Sequence, residues 1–291
     1  MRPRIALATY QHAPNLAPDD RLLLRALRDA GADAEPAVWS SPDVIWETFD
    51  AVIIRSCWDY HLRIDEFRTW LDRLDGSRIP TWNSPDIVLW NSNKRYLLDL
   101  ANRGVSTIET RIVRCGEASE VESIVRAEGW PRFVLKPAIS ASGYETHALE
   151  SALTKPAYET ISRVTALGDT LVQPFAPEIP LVGELSVVFL DGVFSHGAIK
   201  RASPTEFRVQ TEHGGSVSPI EIAPRTVEQA GRAIRALPEI PLYARVDGFL
   251  RGDEFLLMEL ELIEPNLFLE LGPDAAAMLA RAIMRRVGAE N

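Results

Sequence analysis

Apolar positions along this chain fall first into short runs, then into stretches spaced by three and four. Residues 4–9 (RIALAT) read as a strand, and a polar loop with Asp19 and Asp20 follows. The segment RLLLRALRDAG, about 20–30, has the period of an amphipathic helix closed by glycine. A second strand fits at about 34–39 and a buried one at 50–54, whose exit carries RSCWDY. A helix at 64–74 and an extended piece at 80–83 complete this part. Strand–helix–strand alternation predicts an open, largely parallel α/β unit over roughly the first 90 residues. Ligands in such sheets lie beyond the carboxyl ends of the strands, where RSCWDY stands.

From about residue 93 the texture changes. NKRYLLDLANRG predicts a helix stopped by glycine, followed by a strand near 106–113, a helix near 117–128 and a strong strand, FVLKP, at 133–137. Helix 156–166 leads into strand 170–174, and 185–201 reads as two strands around the turn Asp191-Gly192. Residues 203–218 read as a Gly/Ser-rich loop, 226–236 as a helix, 242–250 and 255–263 as a hairpin, and about 273–287 as a final helix. No repeat or low-complexity tract interrupts the series.

Composition narrows the function. With 46% hydrophobic and 25% charged residues the 291-residue chain can bury a sizeable core. A net charge of −10 disfavours a nucleic-acid-binding surface, which needs a basic stripe. The two cysteines, Cys57 and Cys115, form no CxxC pair, which argues against a zinc ribbon or disulfide scaffold, and Cys57 reads as a small buried residue. The apolar run at the start is too short for a secretory signal and no stretch approaches a membrane span, so a cytoplasmic location is expected. The basic residues are nearly all arginine, with lysine only at 94, 136, 155 and 200. An ammonium is not freely replaced by a guanidinium at a phosphate or catalytic centre, so each lysine is a candidate.

Four segments carry candidate chemistry. In VDGFLRGDEFLLMELELIEPN, 246–266, a tight turn folds Asp247 opposite Glu259 and Glu261, which share one strand face. Three carboxylates together call for a cation, and an oxygen-only set suits Mg²⁺ or Mn²⁺; the alternative is a solvated face of alternating glutamates. FVLKPAISASGYET, 133–146, ends a buried strand with Lys136 and continues into a small-residue loop through Gly143, which would fold over phosphates or be an ordinary hairpin loop. In TLVQPFAPEIPLVGEL, Gln173, Pro174 and Phe175 leave a strand and would contact a flat base, while Glu184 would hold ribose hydroxyls; taken alone, these residues read first as a plain loop with a solvated glutamate. Lys200, Arg201 and Arg208 crowd a short span of an acidic protein, suiting a triphosphate or simply a surface loop.

Taken in order, these segments resemble the ATP-grasp superfamily, in its glutathione-synthetase-like and ribosomal-protein-glutamate-ligase-like branch. The likeness covers roughly 90–270 and rests on the order of many weak signals. It implies an ATP-grasp fold: an N-terminal α/β domain at 1–92, then two α+β subdomains at 93–170 and 171–291 that sandwich ATP. It assigns Lys94 and Lys136 to phosphates, Ser140, Ser142 and Gly143 to the mobile loop, Gln173 to Ala176 to adenine, and Glu184 to ribose. Asp247, Glu259 and Glu261 would hold one or two Mg²⁺ or Mn²⁺ ions. Glu259-Leu260-Glu261 departs from the Glu-x-Asn of the family; Glu264-Pro265-Asn266 would restore the asparagine at the cost of lengthening the spacing from Asp247 from twelve to seventeen. Glu264 and Asn266 are therefore placed on the substrate side.

APDDRLLLRAL, RSCWDYH and WNSNKRYLLDL also look like the bacterial group that includes the cyclo-ligase of D-cycloserine biosynthesis, acting on O-ureido-D-serine. The implied reaction activates a carboxylate as an acyl phosphate, which an amine-type nucleophile then displaces. Lys200, Arg201 and Arg208 would stabilise the transferring group. Arg55 would pair with a substrate carboxylate and Asp59 with an ammonium, between Trp58 and Tyr60. Trp58 and Tyr60 read equally as core packing, and Asp19 and Asp20 as helix caps. Glu212 and His213 fall in a loop near the site without an assigned role. The expected partner is a small amino-acid-like molecule rather than nucleic acid or membrane, and the resemblance allows a homodimer. A ligase acting on a peptide or protein carboxylate, a silent ATP-binding module, and a kinase that stops at the acyl phosphate are the alternatives.

Overall fold

In the computed structural model, residues 2–203, 206–209 and 214–288 are described. The first unit holds β1 (Arg4–Thr9), α1 (Pro18–Asp29), β2 (Asp33–Val38), β3 (Ala51–Ser56), α2 (Ile64–Gly76) and β4 (Thr81–Trp82), followed by α3 (Pro85–Asn91). Its four strands are parallel in the order β2-β1-β3-β4, as the alternation predicts. Every residue of β3 is buried, which is why AVIIRS reads as a continuous apolar run rather than an alternating one. On one face Trp39, Phe67 and Trp70 pack ring against ring at 5.4–6.0 Å.

The second unit comprises α4 (Tyr96–Asn102), β5 (Arg111–Val113), α5 (Ala118–Glu128), β6 (Arg132–Pro137), β7 (His147–Glu150), α6 (Lys155–Ala166) and β8 (Thr170–Pro174). Its sheet is antiparallel in the order β5-β8-β6-β7. Val121, Val125, Ile161 and Val164 of the two helices cover Phe133, Leu135 and Val172. β8 belongs to this sheet, so a division at 170/171 runs through a strand. The helix read from 93 starts only at Tyr96, because the preceding residues are used for docking: the Lys94 amide donates to the Ala138 carbonyl at 2.8 Å.

The third unit contains α7 (Glu178–Leu181), β9 (Glu184–Leu190), β10 (Val193–Arg201), β11 (Ser216–Ile220), α8 (Pro224–Arg235), β12 (Tyr243–Arg251), β13 (Glu254–Glu261) and α9 (Ala275–Arg286). The sheet is antiparallel, ordered β11-β10-β9-β12-β13. β11 starts inside the stretch read as a loop; its half-exposed SVSPI is an edge strand with little apolar pattern to reveal it. One face of the sheet, with Leu185, Val187, Phe189, Ala244, Val246 and Leu260, shares a core with Ala230, Ala233 and Ile234 of α8. The other face is charged in part, beside Val188, Leu190 and Tyr243, which share an apolar core with α9. α9 returns to the first unit, where Leu279 and Ile283 share a core with Leu23 and Leu27 of α1; burying each such side chain stabilises by about 1.5–3 kcal/mol. Among the described residues no helix is long and apolar enough to cross a membrane.

Candidate active site

The charged face of the third sheet follows from strand periodicity. Glu184 and Ser186 on β9, Lys200 on β10, Arg245 and Asp247 on β12, and Glu259 and Glu261 on β13 are cross-strand neighbours: Lys200 opposes Glu184, Asp247 opposes both Ser186 and Glu259, and Arg245 opposes Glu261. A bulge between Asp247 and Gly248 sets this register. A Cβ at Gly248 would meet the Leu256 carbonyl oxygen at 2.2 Å, so only glycine fits there.

Four cations neutralise this face. Lys200 Nζ lies 2.8 Å from Asp247 Oδ2 and pairs with Glu184. The Arg245 fork donates to Asp247 at 2.9–3.0 Å, pairs with Glu261, and reaches the Asn266 carbonyl at 2.8 Å. Lys94 Nζ sits 3.2 Å from Glu259 and donates to the Ser140 carbonyl, tying the small-residue loop to β13. Lys136, buried at the end of β6, has no hydrogen-bond or ion-pair partner among the described residues; burial lowers its pKa, against the pull of Glu259.

Between the second and third sheets lies a cavity of about 420 Å³. Lys94, Lys136, Ser140, Ser142, Gly143, Gln173, Pro174, Phe175, Glu184, Lys200, Arg208, Glu259 and Glu261 all line it, as do Trp58, Tyr60, Glu264 and Asn266. Three of the four lysines are thus at one site, while Lys155 starts α6 in an exposed position. One end is apolar, walled by Ile108, Val134, Phe175, Ala176, Ile179 and Met258. There the Gln173 side chain is occupied, donating to Thr110 Oγ1 at 2.9 Å. In the loop, Ser142 and Gly143 take left-handed backbone angles of φ 50° and 68°. Tyr144 beyond them packs against His61 of the first unit, the rings tilted by 56° with centroids 5.5 Å apart.

Four expected site residues do not line the cavity. Arg201 follows Lys200 on the same strand, so it points to the opposite side, where it is exposed and lies 3.4 Å from Ser218 Oγ. Arg55 is fully buried: its Nε donates to Asp20 at 2.7 Å, its Nη2 to the Pro265 carbonyl at 2.6 Å, and its guanidinium stacks on Tyr243 at 4.6 Å. Asp59 accepts from Trp39 Nε1 at 2.8 Å and pairs with Arg63. Asp247 is 1% exposed and both its oxygens are taken, by Lys200, Arg245 and the Ser186 hydroxyl at 2.7 Å. Among the described residues no group of three carboxylate, His or Cys side chains is arranged to hold a metal ion, so the expected Asp247–Glu259–Glu261 set is not assembled. Glu212 and His213 lie outside the described residues.

Asp19 and Asp20 do not cap α1. Asp19 instead accepts from the Leu267 and Leu269 amides at 3.0 and 2.6 Å, so together with Arg55 it clamps the 265–269 segment to the first unit. Asn83 and Asn91 do the same for the sheet edge: Asn83 bonds Leu242, Tyr243 and Leu262, and Asn91 bonds Leu260 and Leu262, all through backbone groups at 2.7–3.0 Å.

Electrostatics follow from this crowding. Burial would raise the Asp247 carboxyl, but Arg245 and Lys200 hold it far below the usual range. Burial outweighs Arg245 at Glu261 and pushes it up to about 7, and burial with Glu261 nearby pushes Glu264 up to about 8. Sequence reasoning missed Arg245, although Arg-x-Asp on one strand puts both side chains on one face. It also missed Ile108, Phe207, Val209 and Met258, apolar residues that it gave no role at the site.

Known proteins agree with this architecture. Residues 5–83 match the family model of the D-cycloserine synthetase DcsG N-terminal domain. The cycloserine biosynthesis protein DcsG of Streptomyces lavendulae is 31% identical over 283 residues, 91% of this chain and 92% of that protein. The crystal structure of D-cycloserine synthetase DcsG matches with a TM-score of 0.88 at 29% identity, covering 98% of this chain and 99% of that one. A RimK-domain ATP-grasp protein from Sphaerobacter thermophilus shares the fold, with a TM-score of 0.70 at 18% identity over 97% of this chain and 99% of that one. The chain belongs to the DcsG family of ATP-grasp carboxylate–amine ligases.

Proposed function

We propose that the protein is an ATP-dependent cyclo-ligase acting on a small amino acid of the O-ureido-D-serine type, converting its carboxylate to an acyl phosphate that an amine-type nitrogen then displaces. The observation that carries this reading is one cavity that joins an apolar end to lysines and carboxylates and then to an aromatic, acidic end. The apolar end suits adenine, with Phe175 and Met258 as faces and Glu184 beside the ribose. Lys94 and Lys136 suit the phosphates, and the unpartnered, desolvated Lys136 gains most from an anion. Lys200, Arg208 and Arg245 face the region where charge develops as the phosphoryl group transfers.

The donor chemistry fits Mg²⁺ at Glu259 and Glu261, two crowded carboxylates to which phosphate oxygens would add. Bound there, the ion would neutralise charge on the transferring group. Asp247 serves differently, fixing Lys200 and Arg245 in place. Packing of the 138–146 loop against His61 would exclude water from the acyl phosphate, which hydrolyses readily.

A cavity of about 420 Å³ whose wall includes Trp58, Tyr60 and Glu264 suits a small acceptor better than a protein one. The test is ADP and phosphate release with a panel of D- and L-amino acids and O-ureido-D-serine, with product identification. One cyclic product per ATP with O-ureido-D-serine is expected. Turnover only with another amino acid would keep the ligase and discard the cyclo-ligase reading.

A further inference from the structure

The carboxylates on the cavity wall are not all alike. Glu184 pairs with Lys200, Glu259 with Lys94 and Glu261 with Arg245. Glu270 is exposed at the wall and solvated. Glu264 is half-buried, faces the same cavity, and has no cationic side chain paired with it among the described residues. Lys94, paired with Glu259, acts on it only from a distance; a carboxylate withdrawn from water without a paired counter-ion is costly, so the site suits a cation from outside the protein.

Its surroundings are firmly held. Trp58 Nε1 donates to the Glu264 carbonyl at 3.0 Å, Arg55 holds the next carbonyl, that of Pro265, at 2.6 Å, and Asp19 holds the Leu267 and Leu269 amides. Trp58 and Tyr60 line the same cavity as Glu264. Aromatic faces beside a carboxylate attract a compact organic cation from two directions.

We propose that Glu264 is the counter-ion of the substrate's α-ammonium group, with Trp58 and Tyr60 as its walls, and so selects free amino acids over deaminated or N-acylated carboxylic acids. This rests on the amino-acid-ligase reading above. The Arg55–Asp19–Asp20 clamp then acts as a positioning device: it belongs to the fold of the first unit yet fixes the height of Glu264 in the cavity.

The test is equilibrium binding by calorimetry, with Mg²⁺ and a non-hydrolysable ATP analogue, of O-ureido-D-serine and D-serine, each against its deaminated counterpart. The wild-type protein should prefer the amine-bearing member by roughly tenfold to a hundredfold, the worth of a charge-assisted hydrogen bond. Glu264→Gln should abolish the preference while leaving nucleotide affinity and its Mg²⁺ dependence unchanged, and Glu264→Asp, which keeps the charge, should retain part of it. No wild-type preference for the amine, or a preference that survives in Glu264→Gln, would overturn the assignment. A shift in Mg²⁺ dependence instead would overturn it in favour of a metal ligand. ADP release in parallel samples reads the ligase reaction separately, so turnover without amine preference removes this inference and leaves the reaction standing, whereas amine preference without turnover does the reverse.

Discussion

Two buried charge networks sit in this molecule, opposite in purpose. Asp19, Asp20 and Arg55 end inside the fold: the Pro265 carbonyl, the Leu267 and Leu269 amides and the Ser56 hydroxyl take up most of their remaining hydrogen bonds, and Arg55 Nη1 alone is left buried without a partner among the described residues. Lys94, Lys136, Lys200, Arg245, Glu259 and Glu261 end in a cavity. Members of both sets read as candidate chemistry in the sequence, Arg55 in the first and the three lysines with Glu259 and Glu261 in the second. What separates them is the other end of each side chain. A network closed on groups of its own fold holds that fold together, whereas one that leaves Lys136 and Glu264 without an ion-pair partner among the described residues waits for a ligand.

Breaking the closed network should have the largest effect on stability. Asp20→Ala leaves Arg55 buried without its counter-ion and should cost about 3–5 kcal/mol, seen as an earlier midpoint in chemical denaturation. Breaking the open network should spare stability and remove activity. Lys136→Met relieves a desolvated ammonium, so the denaturation midpoint should hold or rise, while kcat/KM falls by roughly 10²–10³ through lost transition-state stabilisation.

The open network also has its own pH signature. In the ligand-free protein the Glu264 carboxyl is pushed up to about 8, by burial first and by Glu261 second. The unfolded chain loses this proton at the ordinary carboxylate pH, near 4.3. Between the two values the unfolded state holds fewer protons, so the thermal midpoint should fall as pH rises from about 5 to about 8. Glu264→Gln should flatten that slope. Asp247, held low by Arg245 and Lys200 despite burial, has the opposite sign: its contribution is complete at neutral pH and is lost only in acid, as pH falls through its depressed folded value. The smallest expected effect is at Tyr144→Ala, which removes the ring contact with His61; a few-fold rise in ADP release without ligation is expected, read as the ratio of ADP to product.

Much of this was legible in the chain. The 3.6 and 2.0 periods give most elements, and the lysine scarcity together with the Asp247–Glu259–Glu261 hairpin leads to the right cavity wall. The edge strand β11 was not, because half-exposed edges carry little apolar pattern. Arg55 misled because its partners, Asp20 and the Pro265 carbonyl, lie 35 and 210 residues away and only the fold brings them to it. Arg201 misled because proximity in sequence to Lys200 means opposite faces on a strand. Asp247 was placed on the correct face, but the arginine two residues before it, which turns it from a free carboxylate into an anchor, was passed over.

The most direct test of the account is substrate-dependent ADP release as a function of Mg²⁺ concentration, in the wild-type protein and in Glu259→Gln. The account predicts release that requires both amino acid and Mg²⁺, and a loss of roughly a hundredfold or more in a variant that remains folded. Wild-type-like turnover and Mg²⁺ dependence in the Glu259→Gln protein would contradict it.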